Sequence, residues 1–310
     1  MKTFFKNSNY LVPIEEWEPN CWVCVEDPTD EDKDYLLNNL KIPVAFFNDI
    51  EDIDERPRIE EEDGWYLILF RIPVANISIS GNLPFNTIPL GIIFKDEIFV
   101  SVCFYQNDLI SDFIQYSKRK NIIKKNNFDL VLRLILSSSV WYLKYLKQIN
   151  LKIKLAETQL EKSIKNEELQ TLLKIEKCLV FFTTSLKGNE ILIHKIRNLK
   201  EYKNDYDEDL FEDVEIELRQ AQEITKIYSD ILSGMMDAYA SVISNNLNIV
   251  MKLLTSISIM LMIPTLIASF YGMNVPNFVE DSKLAFGLIV VSSFLITILT
   301  TLFFKKKNWL

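Results

Sequence analysis

The sequence predicts an α+β domain followed by a long stalk helix and two membrane-spanning helices, a mostly α chain that must work as a homo-oligomer. Three observations carry this. Eight of the ten prolines lie at or before Pro89 and the next is Pro264, so a long middle stretch lacks the residue that best stops helices. The last helix before the spans carries Val214, Leu218, Ala221, Ile224, Tyr228, Ile231, Met235, Ala238 and Val242 at 4-3-3-4-3-4-3-4 spacing, nearly a heptad seam. Two stretches, 253–271 and 284–304, hold no charge over about 20 residues each, enough for a hydrocarbon core of roughly 30 Å.

Taken in order, residues 21–25, 65–72, 90–94 and 98–104 are rich in β-branched and aromatic residues and are bounded by Pro, Gly, Asp and Asn, as strands are. Residues 30–39 form a helix between the first two. Beyond residue 105, apolar positions recur every three or four residues with Lys and Glu between them, predicting helices over 108–116, 128–163, 167–186 and from Asp207 onward. Residues 130–143 imitate a membrane span, but Arg133 interrupts them and they are too short, so they form a buried core helix. A helix continuous from Asp207 to Tyr271 would be roughly 100 Å long, which only a stalk inside an oligomer explains. The 310 residues therefore divide into a cytoplasmic α/β domain (1–125), long cytoplasmic helices (126–204), the stalk (205–252), a first span (253–271), an outer loop (272–283), a second span (284–304) and a basic tail (305–310).

Composition excludes several functions. A net charge of −9, with Lys305, Lys306 and Lys307 the only dense basic run, does not suit a nucleic-acid binder. Cys21 and Cys24 form a C-x-x-C, but no second pair or nearby His completes four zinc ligands. On a strand, moreover, residues three apart point to opposite faces. The seven glycines are too scattered to cradle phosphate, and no Gly-x-x-x-x-Gly-Lys-Ser/Thr loop is present to power a pump. His194 is the only histidine, and no nucleophile and base can be paired, so no catalytic residue is assigned and no organic cofactor is expected. Residues 1–12 lack the continuous apolar run of a signal peptide, which keeps the N-terminal part in the cytoplasm.

The loop 272–283 carries Glu280 and Asp281, whereas the second span ends on Lys305, Lys306 and Lys307. Positive-inside then places both termini in the cytoplasm, and the two acids outside, where they attract cations to an entrance. The first span bears Asn248, Met251, Thr255, Ser258, Met262, Thr265 and Ser269 at 3-4-3-4-3-4 spacing, one stripe of mostly polar or small groups. Such a stripe serves either tight helix packing in lipid or a water-filled path. One stripe cannot enclose a path, so the pore reading requires several copies around an axis, which the stalk seam requests independently. Pro264 removes the backbone donor to the Met260 carbonyl, predicting a kink or a freed carbonyl.

Tyr271-Gly272-Met273-Asn274, closing one span before a short loop and a second span, resembles the signature of the CorA family of magnesium/cobalt transporters. The Asn248-Ile249-Val250-Met251-Lys252-Leu253-Leu254-Thr255 entry and the Lys305-Lys306-Lys307-Asn308-Trp309-Leu310 end are similar to the family too, so the likeness runs through the whole chain. The resemblance implies a homopentamer in the inner membrane, with an α/β/α cytoplasmic funnel, first spans as an inner ring and second spans as an outer ring. It implies a selectivity filter in which Asn274 side chains ring the entrance beside the carbonyls of Gly272 and Met273 and bind hydrated Mg2+. Neutral amide oxygens suit an ion that dehydrates reluctantly. Gly and Asn also commonly end helices in the left-handed conformation, and a cap at Gly272 is compatible with Asn274 facing the axis.

By the same resemblance, Met251, Leu254 and Met262 form apolar constrictions between the polar positions Asn248, Ser258 and Thr265; Leu254 lies beside the stripe and enters on the resemblance alone. Asp49, ahead of Arg56-Pro57-Arg58, and Asp213 on the stalk look like the inter-subunit regulatory site at which cytosolic Mg2+ closes the channel. Asn48 stands where the family usually has an acid, so a second cation there is not implied. Mg2+ is thus the expected cargo and regulator, with Co2+ as a second candidate cargo, driven inward by the membrane potential. Two alternatives stay open: a CorA-like Zn2+, Ni2+ or Co2+ transporter, for which the stripe offers thioethers but no Cys or His, and a non-conducting oligomeric scaffold.

Overall fold

The structure, a computed structural model, describes residues 2–8, 10–75, 83–122, 125–162, 166–199, 207–273 and 284–309. It divides into two compact units, Met1–Ser233 and Gly234–Leu310. The first is built on a seven-stranded sheet of β1 (Lys2–Asn7), β2 (Leu11–Ile14), β3 (Trp22–Glu26), β4 (Arg58–Glu62), β5 (Trp65–Ala75), β6 (Phe85–Lys95) and β7 (Ile98–Cys103). The strand order is β2-β1-β3-β7-β6-β5-β4, and only β3 and β7 run parallel.

One face of the sheet shares a core with α1 (Asp30–Asp34), the π-helical turn Tyr35–Asn39 that continues it, and α2 (Val44–Glu51). Val23, Val25, Leu67 and Ile93 meet Leu36, Phe46 and Ile50 there. Gly91 lets α2 close on β6, because a Cβ at that position would overlap the Ile50 side chain. Against the other face lie α3 (Asp108–Lys120), α4 (Asn127–Lys162) and α5 (Asn166–Arg197). Trp22 meets Phe113 at 6.1 Å between ring centres, and Phe85 meets Tyr145 at 5.0 Å. Helices on both faces make this the expected α/β/α domain. Cys21 belongs to the α1/α2 side of the core, whereas Cys24 turns to the opposite side, toward Ser101. Burial pushes the Cys24 thiol up to about 12.

Several boundaries differ from the sequence reading. Strands β5 and β6 run through Pro73 and Pro89, where the sequence reading stops and starts them. Pro73 lies beyond the β4–β5 ladder, which ends at Arg58 opposite Leu69, and Pro89 beyond the β6–β7 ladder, which ends at Gly91 opposite Val102. Each proline therefore sits where its strand is paired on one side only, the place where a missing N–H is tolerated. Strands β1, β2 and β4 and helix α2 were not read from the sequence, and the single helix over 30–39 is an α-helical turn followed by a π-helical one.

A buried arginine holds the layers together. Arg71, midway along β5, donates through Nη1 to the carbonyls of Ile53 (2.7 Å) and Glu55 (2.9 Å), through Nη2 to the Thr87 carbonyl (2.7 Å), and through Nε to the hydroxyls of Thr87 and Ser185. Its own carbonyl accepts from Asn189 Nδ2 of α5 and Tyr142 Oη of α4. Every polar edge of the residue is satisfied by neutral groups, so burial lowers its pKa without leaving it unpartnered.

The helix α6 (Glu208–Tyr271) is 64 residues long, or ~96 Å at 1.5 Å per residue. In the first unit it buries Phe211, Val214, Leu218, Ala221, Thr225 and Leu232. Gln222 Nε2 donates to the Leu186 carbonyl and to Glu190 on α5, at 3.2 and 3.1 Å. The second unit contains the rest of α6 and α7 (Ala285–Lys306).

Candidate ion path and cation-binding residues

Both helices of the second unit are long and apolar enough to cross a membrane, with mean hydropathy 2.0 and 2.3 over their best windows, and almost none of that surface is buried. Helix α6 continues through Pro264 without a break in its assignment. The Pro264 ring and the freed carbonyl are tolerated as neighbours in a span allow.

What α7 covers decides how α6 can be used. Ser256 is fully buried, Met260 is half-buried, and Thr301 of α7 places its hydroxyl 3.0 Å from the Met260 sulfur. Ile259, Ile263, Ile267 and Tyr271 are half-buried on the same side. At about 100° per residue this covered face centres roughly 150° from the polar stripe. Asn248, Met251, Thr255, Ser258, Met262, Thr265 and Ser269 are all exposed, as is Leu254 beside them. The second span thus lies on the back of the first and leaves the stripe open. On the stripe, the Ser258 hydroxyl donates to the Leu254 carbonyl (2.9 Å) and that of Thr265 to the Leu261 carbonyl (3.0 Å).

At the C-terminal end of α6 the Gly272 N–H donates to the Ala268 carbonyl at 2.9 Å, and Met273 follows, exposed. Gly272 has no positive φ, so it is not the left-handed cap that the sequence allows. Its lack of a side chain serves the close approach of the Ala268 carbonyl, which a Cβ would meet at 3.3 Å. Asn274, Glu280 and Asp281 lie outside the described residues.

The two aspartates of the expected regulatory site occupy different surroundings in the first unit. Asp49, near the end of α2, pairs with Arg58 at the start of β4 at 2.6 Å. Arg58 also pairs with Glu55 and, at 2.8 Å, with Glu60. Partial burial pulls the guanidinium down, but the three carboxylates together hold its pKa above the ordinary value. Sequence reading passed over Arg58 as a landmark; an arginine among so many acids in 49–63 was the available signal. Asp213 is exposed and lines a cleft of about 280 Å3 with Asp112, Tyr116, Arg133 and Leu210. Among the described residues no three His, Cys, Asp or Glu side chains gather as a metal cluster.

At its other end α7 closes in a turn. Lys307 N–H donates to the Phe303 carbonyl, Asn308 is left-handed at φ 56°, and Trp309 N–H donates to the Phe304 carbonyl at 3.0 Å. The Trp309 ring stacks on Phe304 with centres 5.6 Å apart. Lys305, Lys306 and Lys307 are exposed around this turn.

The family described as CorA-like Mg2+ transporter protein matches residues 17–306. The cobalt/magnesium transport protein CorA of Methanocaldococcus jannaschii is 25% identical over 297 residues, covering 93% of this chain and 91% of that one. The protein of the same name from Thermotoga maritima is 28% identical over 207 residues, covering 66% of this chain and 58% of its own length. The complete structure of the CorA magnesium transporter from M. jannaschii superimposes with a TM-score of 0.84 at 21% identity, covering 100% of this chain and 99% of that one, and shares its fold. With the family matched across both spans and the domain before them, this chain belongs to the CorA family of magnesium/cobalt transport proteins.

Proposed function

We propose that this chain forms a homopentameric channel for hydrated divalent cations, chiefly Mg2+ and with Co2+ as a second cargo, in the inner membrane with both termini in the cytoplasm. The observation that carries the reading is the opposition of faces on α6. Its back, at Ser256 and Met260, faces α7, and its stripe from Asn248 to Ser269 is exposed, with none of the described residues covering it. Copies arranged with α7 outward would line an axis with that stripe. Met251, Leu254 and Met262 then form apolar rings that can gate by dewetting, with Asn248, Thr255, Ser258, Thr265 and Ser269 between them.

At the outer mouth, Asn274 amides and the carbonyls of Gly272 and Met273 bind the ion through its water shell, and Glu280 and Asp281 raise the local cation concentration. No energy source beyond the potential is required, since an interior-negative membrane favours entry by about 2.3 kcal/mol per charge per 100 mV. On the cytoplasmic side, a divalent ion shared by Asp49 of one subunit and Asp213 of the next stabilises the closed assembly. Its loss at low Mg2+ leaves acids to repel and the channel to open.

The test is Mg2+ influx into proteoliposomes loaded with a Mg2+-sensitive dye. Wild type is expected to conduct and Asn274→Ala to fail, while Asp49→Ala/Asp213→Ala keeps conducting at high internal Mg2+. Passage of Zn2+ without Mg2+ would assign a different cargo, and passage of neither would leave an oligomeric scaffold.

A further inference from the structure

The end of α7 carries a charge that its own unit does not answer. Lys305, Lys306 and Lys307 are exposed and, among the described residues, form no ion pair. Within 234–310 the one described carboxylate is Asp237, 23 residues and roughly 35 Å along α6 from Met260, beside which α7 passes. Nor are the ammonium groups needed as a helix cap. The last carbonyls of Phe303, Phe304 and Lys305 already accept from the N–H groups of Lys307, Asn308 and Trp309.

The same turn fixes an aromatic anchor. Stacking on Phe304 and the bond from its own N–H hold the Trp309 ring at the end of a 22-residue apolar helix, where an indole favours the boundary between lipid and water. Phe303 stays exposed beside it. Three unanswered cations at the level of an interfacial tryptophan are a surface for anionic headgroups.

We propose that the turn Lys305–Trp309 is a binding site for anionic phospholipid in the leaflet at that end, with the lysines contacting headgroup phosphate and Trp309 seating the acyl–headgroup boundary. This rests on insertion of α7 in a bilayer and not on ion conduction. A lysine near an anionic surface favours it about five-fold, so three select anionic over zwitterionic lipid by at least roughly ten-fold even when partly screened.

Trp309 makes the site readable, because the other four tryptophans, Trp17, Trp22, Trp65 and Trp141, all belong to the first unit. The full chain is reconstituted in equimolar phosphatidylglycerol and phosphatidylcholine, with one or the other brominated, and the Trp309 signal is taken as the difference from Trp309→Phe. The expected result is markedly stronger quenching by the brominated phosphatidylglycerol. Lys305→Gln/Lys306→Gln/Lys307→Gln and 1 M salt should each abolish the preference, and the triple Lys→Arg variant should keep it. Equal quenching by the two lipids, or a preference that survives both the glutamines and the salt, overturns the proposal. Loss of Mg2+ influx in the same vesicles with the lipid preference intact would count against the channel reading alone.

Discussion

Between Phe211 and Leu232 helix α6 buries a face within its own unit, whereas from Val242 to Met273 most of its side chains are exposed although they are apolar. One helix thus runs through two regimes. In the first, α5 is a partner and one face is buried within a single chain, while Ile216, Ile227 and Ile231 stay exposed on the other faces. In the second, α7 supplies a partner on one face, and lipid and further copies must supply the rest. The seam read from spacing straddles this divide: Val214, Leu218 and Ala221 are buried, while Ile231 and Val242 are exposed. Spacing alone tells where a helix has an apolar face, not which molecule covers it.

The contrast can be broken most sharply in the first unit. Arg71→Met removes the donor to the half-buried carbonyls of Ile53 and Glu55 and the buried carbonyl of Thr87, at a cost of ~3 kcal/mol. Thermal melts of the detergent-solubilised protein should then show the first unit lowered by about 6–12 °C. A smaller effect separates the two faces of α6. Ser256→Leu forces a larger group into the contact with α7 and should destabilise the helix pair by ~1–3 kcal/mol. Ser258→Leu, two residues on and exposed, should leave the melt unchanged and alter Mg2+ influx. If both variants melt alike, the assignment of faces fails.

Around Asp49 the comparison is between a fixed cation and a mobile one. Under the proposed regulation, Arg58→Gln frees three carboxylates, which should favour a divalent ion by about 1 kcal/mol and lower about five-fold the internal Mg2+ needed for closure. The influx assay at graded internal Mg2+ reads this directly. The smallest change concerns Glu26, whose pKa is raised by burial although Asn107 donates to it at 2.7 Å. Its charged form is penalised by folding at neutral pH, and that penalty is relieved as pH falls through the raised pKa toward the ordinary carboxylate range. Glu26→Gln should therefore raise Tm by a degree or two near pH 7.5, a gain that fades on acidification.

The long helices were legible because their periodicity is carried by many residues, and an error at one position hardly moves the pattern. The sheet was less so. Pro73 and Pro89 argued strand ends, but the sequence does not say on which side a strand lacks a neighbour, and that is what lets both prolines stay. Helix α2 follows Pro43 with only eight residues, too few for a period to declare itself. In the site, the stripe could be read from spacing. The face that α7 covers was not read, although Ser293, Thr297, Thr300 and Thr301 place hydroxyl side chains on one side of α7, and that side is the one that is buried or half-buried. The pairing of Asp49 with Arg58 joins the end of α2 to the start of β4, and its one trace in the sequence is an arginine set among the acids of 49–63.

Two of the four stripe hydroxyls, those of Ser258 and Thr265, spend their protons on the carbonyls of Leu254 and Leu261. Each therefore turns toward its surroundings an oxygen with lone pairs and no hydrogen to give. A hydrated cation presents the protons of its water outward and finds acceptors on such a wall. A hydrated anion presents water oxygens and finds nothing to receive them. In the proposed pore such a wall would sort ions by sign with uncharged side chains, leaving no fixed charge to trap an admitted ion.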